Sequence, residues 1–218
     1  MYELLIVAGF ASLAFYNVTV HDDEFANASR RIGDRIGKLW DIAHSSMKEN
    51  RLLRAEKALL TILKIDERNA AAYNRLGILY AKQKEYRDAI DCFEIASSIE
   101  ATPSSLHNLG LIYYETENYD KASVAFEQAL KLEDNLAARH VAYAKVQEKL
   151  GNDKHMFLEL ERAAELEPNK ETYNLLIRAY LNNGMVEEAK TAKAKLNKIS
   201  KITNRPKRMI RPKRRVVV

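Results

Sequence analysis

The chain has 218 residues, a net charge of +5, one cysteine, seven glycines and four prolines. A lone cysteine excludes an intramolecular disulfide framework, so the fold needs no oxidising compartment. So few glycines and prolines suit an almost wholly helical protein, and the length fits one domain with or without appendages.

The first element is Leu4–Val20 (LLIVAGFASLAFYNVTV), which contains no charged residue. As a helix it spans about 25 Å, against roughly 30 Å of bilayer hydrocarbon. Ser12, Asn17 and Thr19 weaken the span, while Tyr2 and Tyr16 stand near its ends, where interfacial aromatics gather. Three readings compete: a single-pass anchor, a cleaved signal peptide, and a hydrophobic helix docked on an open end of the fold. No Lys or Arg precedes the apolar run, whereas a signal peptide has a basic stretch there. The expectation is a membrane anchor over residues 1–21 and a single-pass membrane localisation. Arg30, Arg31, Arg35 and Lys38 follow the span, which places the remainder in the cytoplasm. Residues 22–35 (DDEFANASRRIGDR, after His21) carry Phe25 and Ile32, with Ile36 next, at spacings of seven and four. They read as a helix entering the next element or as a loose connector.

From residue 36 a two-helix plan repeats. Its clearest copy is Ala70–Ile99, where Tyr73, Leu76, Gly77 and Tyr80 share one helical face and Tyr86, Ala89, Phe93 and Ala96 share the next. Gly77 and Ala89 are small where helices approach closely; Tyr80 and Phe93 are large where space remains. Leu109, Gly110, Tyr113, Tyr119, Ala122, Phe126 and Ala129 repeat the pattern 33 residues later. Weaker copies hold Ile42, Ala43, Leu52, Ala55, Leu59 and Ile62, then Tyr143, Ala144, Met156, Leu160, Ala163 and Pro168, and finally Tyr173, Leu176, Tyr180, Ala189 and Leu196. The frames are 36–69, 70–102, 103–136, 137–169 and 170–199.

These positions resemble the tetratricopeptide repeat family, whose 34-residue unit places an aromatic, Leu-Gly, Tyr, Ala, Phe, Ala and Pro at fixed intervals. The resemblance covers about three quarters of the chain and is closest in the second and third copies. It implies an all-α fold: a right-handed α-solenoid of about five helix-turn-helix repeats, preceded here by one hydrophobic helix. The first, fourth and fifth copies lose Leu-Gly; the fifth has Leu176-Ile177 at the close contact.

Nothing in the repeats points to catalysis, a cofactor or a small-molecule substrate. His44, His107, His140 and His155 do not pair at metal-ligand spacing, and the one cysteine, Cys92, cannot anchor a zinc site. A phosphate-binding Gly-rich loop and a Ser elbow are missing. What a stack of hairpins offers is a concave groove lined by the first helix of each unit. By family position its residues are Trp40, His44, Asn74, Ile78, His107, Leu111, Tyr114, Val141, Lys145, Asn174 and Arg178. Their mix of aromatic, amide and aliphatic chemistry suits a peptide or helix of a partner protein. Some family members clamp a carboxylate with Lys, Asn and Arg at set positions. Here those positions hold Trp40, His44, Arg75, Ser104 and Asn108, or one repeat later Asn74, Ile78, Asn108, Ala138 and Ala142. Both Lys and the Arg are missing from the better frame, so that clamp is rejected.

The last segment, Ser200–Val218, holds eight basic residues and no acid; taken from the total of +5, they leave the remaining chain at about −3. Pro206 and Pro212 bar a continuous helix, and the composition reads as a disordered basic tail over 200–218. Arg205, Lys207, Arg208, Arg211, Lys213, Arg214 and Arg215 suit an anionic surface, either lipid or nucleic-acid phosphate. The expectation is a non-catalytic, membrane-anchored scaffold or assembly factor that binds a protein partner. The alternative is a nucleic-acid- or ribosome-associated adaptor working through the tail.

Overall fold

The computed structural model describes residues 28–203, and these are helical apart from short turns. Helix α1 covers 28–48, and α2 is Leu52–Ile65, α3 Ala70–Gln83, α4 Tyr86–Ile99 and α5 Pro103–Glu115. Then come α6 Tyr119–Leu132, α7 Ala137–Lys149, α8 Asp153–Leu166, α9 Lys170–Asn182 and α10 Val186–Thr203. The described residues divide into two compact units, one ending at Ala101 and the other beginning at Thr102.

In the first unit α3 packs on α4 and on α2. Ala43, Ala55, Leu59, Ile62, Leu76 and Leu79 form the centre of its core, with Trp40, Met47 and Tyr80 packed against it from the edge. The close approach of α3 and α4 depends on Gly77: a Cβ there would lie 2.7 Å from the Phe93 ring. Asn69 starts α3 by accepting a hydrogen bond from the Ala72 amide at 2.9 Å.

The second unit repeats the arrangement in α5–α6, α7–α8 and α9–α10, with α6 meeting α7 and α8 meeting α9. At Gly110 a Cβ would lie 2.9 Å from the Phe126 ring, the same interlock one repeat on. Thr102 and Ser105 close a reciprocal cap on α5, with Pro103 in its first turn, and Asn169 and Thr172 do the same for α9. Caps of this kind satisfy amides that no intrahelical carbonyl can reach. A second core gathers Met156, Leu160, Tyr173, Leu176, Tyr180 and Ala189.

Each turn inside a hairpin has one residue in the left-handed region: Asn50 (φ 58°), Lys84 (64°), Glu117 (61°), Gly151 (72°) and Gly184 (73°). Only the last two are the residue type that this conformation favours. Polar staples tie a first helix to the preceding second helix. The Tyr80 hydroxyl donates to Glu56 at 3.0 Å, Gln147 donates to Ser123 at 2.9 Å, and Tyr180 donates to Glu161. Gln147, almost fully buried, stands where the neighbouring repeats have tyrosine.

Three expectations are revised. The single-pass membrane localisation, with cytoplasmic repeats, is corrected, because no helix among the described residues is long and apolar enough to cross a membrane. The two longest carry charge on most turns, at Arg30, Arg31, Asp34, Arg35 and Lys38 in α1 and at Glu187, Glu188, Lys190, Lys193 and Lys195 in α10. Leu4–Val20, which prompted that expectation and that of a preceding hydrophobic helix, lies outside the described residues. Residues 28–35, open between helix and connector in the sequence, run unbroken into α1. At the other end α10 continues to Thr203 rather than stopping at residue 199, because Leu196 and Ile199 extend its apolar stripe onto the second core. The basic residues Arg205 to Arg215 lie outside the described residues.

Candidate functional site

Helices α1 and α3 run in the same direction, since short turns reverse the chain on either side of α2. Between them is a cleft lined by Trp40, Asp41, Ala43, His44, Met47 and Lys48 from α1 and by Ala71, Arg75, Ile78 and Lys82 from α3. Its volume is about 650 Å³. The spacing within each set is that of one helical face. Trp40 and Ile78 are half-buried on its floor, and His44, Lys48, Arg75 and Lys82 are exposed on its rim. Trp40, His44 and Ile78 from the expected groove therefore meet in one place. Asn74, half-buried on α3, is not among the lining residues.

In the second unit a smaller cleft of about 240 Å³ lies between α5 and α7, lined by His107, Leu111, Tyr114 and Glu115 and by Val141 and Lys145, with Phe126 behind. All five groove residues expected on these two helices face it. His107 stands edge-on to Phe126, with ring centroids 5.4 Å apart, and Tyr114 packs on Tyr119 at 5.6 Å. Burial and, secondarily, the Arg139 charge hold the His107 pKa below its ordinary value, so this imidazole is neutral at physiological pH. Its Nδ1 is buried without a hydrogen-bond partner. Arg178 and Asn174 lie farther along, on an exposed face of α9 with Leu175, Ile177 and Leu181, and Arg178 also borders a narrow gap beside Val141 and Lys145.

Sequence reasoning missed Met47, Lys48 and Lys82 as cleft residues, although their spacing from His44 and Ile78 marks the same faces. It also missed a buried polar cluster at the start of α7. Arg139 donates to the Glu133 carbonyl and, at 3.1 Å, to the Glu133 carboxylate. His140 Nδ1 is 2.6 Å from Glu159 Oε2, and its Nε2 is 2.8 Å from the Asp134 carbonyl oxygen. Both neighbours are acceptors, so the imidazole satisfies both only when doubly protonated. Burial works against that charge, but the bonds to Glu159 and Asp134 outweigh it, and the His140 pKa is raised. Among the described residues no group of His, Cys, Asp and Glu could hold a metal ion. These features define a helical-hairpin repeat protein with small clefts between first helices.

The tetratricopeptide repeat model matches residues 70–100 and 103–136, so the central hairpins are tetratricopeptide repeats; a PPR repeat model matches residues 171–191. No curated protein matches the chain. Among solved structures, a crystal structure of MamA protein is 19% identical with a TM-score of 0.69, covering 80% of this chain and 98% of that one. A MamA from Desulfovibrio magneticus RS-1 is 13% identical with a TM-score of 0.68, covering 80% and 99%. YrrB, described as a TPR protein with an unusual peptide-binding site, is 20% identical with a TM-score of 0.62, covering 73% and 83%. At these identities the likeness is one of fold.

Proposed function

We propose that the chain is a non-catalytic scaffold that binds a peptide or helix of a partner protein on the inner faces of its first helices. The observation that carries this reading is the state of those faces. Trp40, Ile78, Leu111, Tyr114 and Val141 border open clefts, although each unit fills its core elsewhere with small-large interlocks. Apolar side chains on a concave wall, with a few polar groups beside them, are what peptide recognition uses. The fold neighbour described as peptide-binding supports the same use.

Site-specific photo-crosslinking tests it. A photoreactive residue at Leu111 is expected to give a discrete adduct that disappears when Tyr114→Ala is added. The same group at Leu53, 79% exposed on α2, is expected to give none. Equal adducts from both positions would overturn the reading.

The second reading is a nucleic-acid- or ribosome-associated adaptor, favoured by the eight basic and no acidic residues of Ser200–Val218. Replacing the basic residues with Gln separates the two. Under the scaffold reading the crosslink at Leu111 persists. Under the adaptor reading RNA or ribosomes are lost from the purified chain.

A further inference from the structure

The clefts differ in charge. The one between α5 and α7 opposes Lys145 with Glu115 around a neutral His107. The cleft between α1 and α3 has Lys48, Arg75 and Lys82 on its rim against the single acid Asp41. The ion pairs found in the described residues involve other side chains, and among the described residues none of these three cations has a further partner. Lys82 sits in the last turn of α3, where a cation also complements the helix dipole. Arg75 is in the middle of the same helix and has no such local reason for its charge. Beneath the cations the floor is apolar, made by Trp40, Ala43, Met47, Ala71 and Ile78.

The geometry points to an acidic partner segment with bulky aliphatic side chains as the occupant of the α1/α3 cleft. This rests on the peptide-binding reading above and goes further by fixing the partner's chemistry. The aliphatic groups lie on Trp40, Met47 and Ile78, and the carboxylates pair with Arg75, Lys48 and Lys82. Arg75 can take a carboxylate through two parallel N–H donors, which gives direction as well as attraction. Single-stranded nucleic acid fits less well. It stacks successive bases on several aromatic faces, and this floor has one Trp among aliphatic side chains.

The test uses the full chain and a fluorescein-labelled peptide of Leu and Glu, with Leu at helical spacing, beside a twin in which Gln replaces every Glu. The Glu peptide is expected to bind on the order of tenfold more tightly than its twin, and added salt removes most of the difference. Arg75→Gln and Lys82→Gln each lose most of the preference, whereas Lys145→Gln in the other cleft keeps it. Arg75 and Lys82 are exposed, so unchanged thermal melts show that the variants fold. Equal binding of both peptides, abolished by Ile78→Asp, overturns the acidic partner but leaves peptide binding standing. A preference that survives both Gln variants overturns the site, and binding of neither peptide overturns both readings. Displacement of the Glu peptide by oligothymidylate more readily than by unlabelled peptide overturns the proposal in favour of nucleic acid.

Discussion

At Gly77 a hydrogen stands where a methyl group would lie 2.7 Å from the Phe93 ring, and at Gly110 the gap to Phe126 is 2.9 Å. Gly77→Ala gains about 1 kcal/mol of helix propensity but must displace a ring with almost no exposure. Overpacking costs about 1–3 kcal/mol, so chemical denaturation should show net destabilisation. Gly37→Ala, with nothing within 4 Å of its Cβ, should instead stabilise by up to about 1 kcal/mol. Cys92 is 7% exposed, and burial, aided by Asp91 and Asp88, pushes its thiol up to about 11. It should resist a thiol reagent at neutral pH in the native chain and react fully in denaturant. His140 gives a pH signature. Its folded pKa lies above 6.5, so its contribution to stability is complete below that value and fades as pH rises through the folded pKa. Melting of the native chain compared with His140→Gln should show a difference that shrinks as the solution turns alkaline; a constant difference would refute the doubly protonated pairing.

The hairpin is the unit in which sequence and structure agree most directly. Its two helices are written in the small and large residues at spacings of three and four, because that period is a local property of the chain. Its turn is less well written. All five turns place one residue in the left-handed region, but only Gly151 and Gly184 are glycines, and Lys84 and Glu117 give no hint of that φ. A side chain in this conformation costs roughly 1 kcal/mol, so Glu117→Gly should raise the denaturation midpoint and Gly151→Ala should lower it. The end of α10 was hidden for a different reason: the basic composition after residue 199 masked the fact that Leu196 and Ile199 already commit the last turn to packing.

For the whole molecule, stability should follow the nearest-neighbour logic of stacked hairpins, in which each repeat shields the next. Phe157 of α8 stacks on Tyr180 of α9 at 5.1 Å, and Met156, Leu160 and Tyr173 share one core. Ending the chain after Asn169 would bare this surface. The truncated chain is expected to unfold at lower denaturant and to self-associate; an unchanged midpoint would mean that the last hairpin contributes nothing to its neighbour. Parts of the candidate site were legible because family position marks which first-helix residues escape the hairpin core. Trp40, His44 and Ile78 meet in one cleft and His107, Leu111, Tyr114, Val141 and Lys145 in another. Asn74 was assigned by the same rule and lines neither, since helical register alone does not say how deep a side chain sits.

By itself the sequence determined the helical hairpins, their number in the repeating stretch and the interlocks at Gly77 and Gly110, because helix period and residue size act between near neighbours. Tertiary structure alone decided the rest. It set Arg75, Lys82 and Lys48 around one cleft with Asp41 as its single acid. It brought Glu159, 19 positions away, against His140. Charge balance and the protonation of a buried imidazole depend on which side chains share a space, and that is fixed only when separate helices pack.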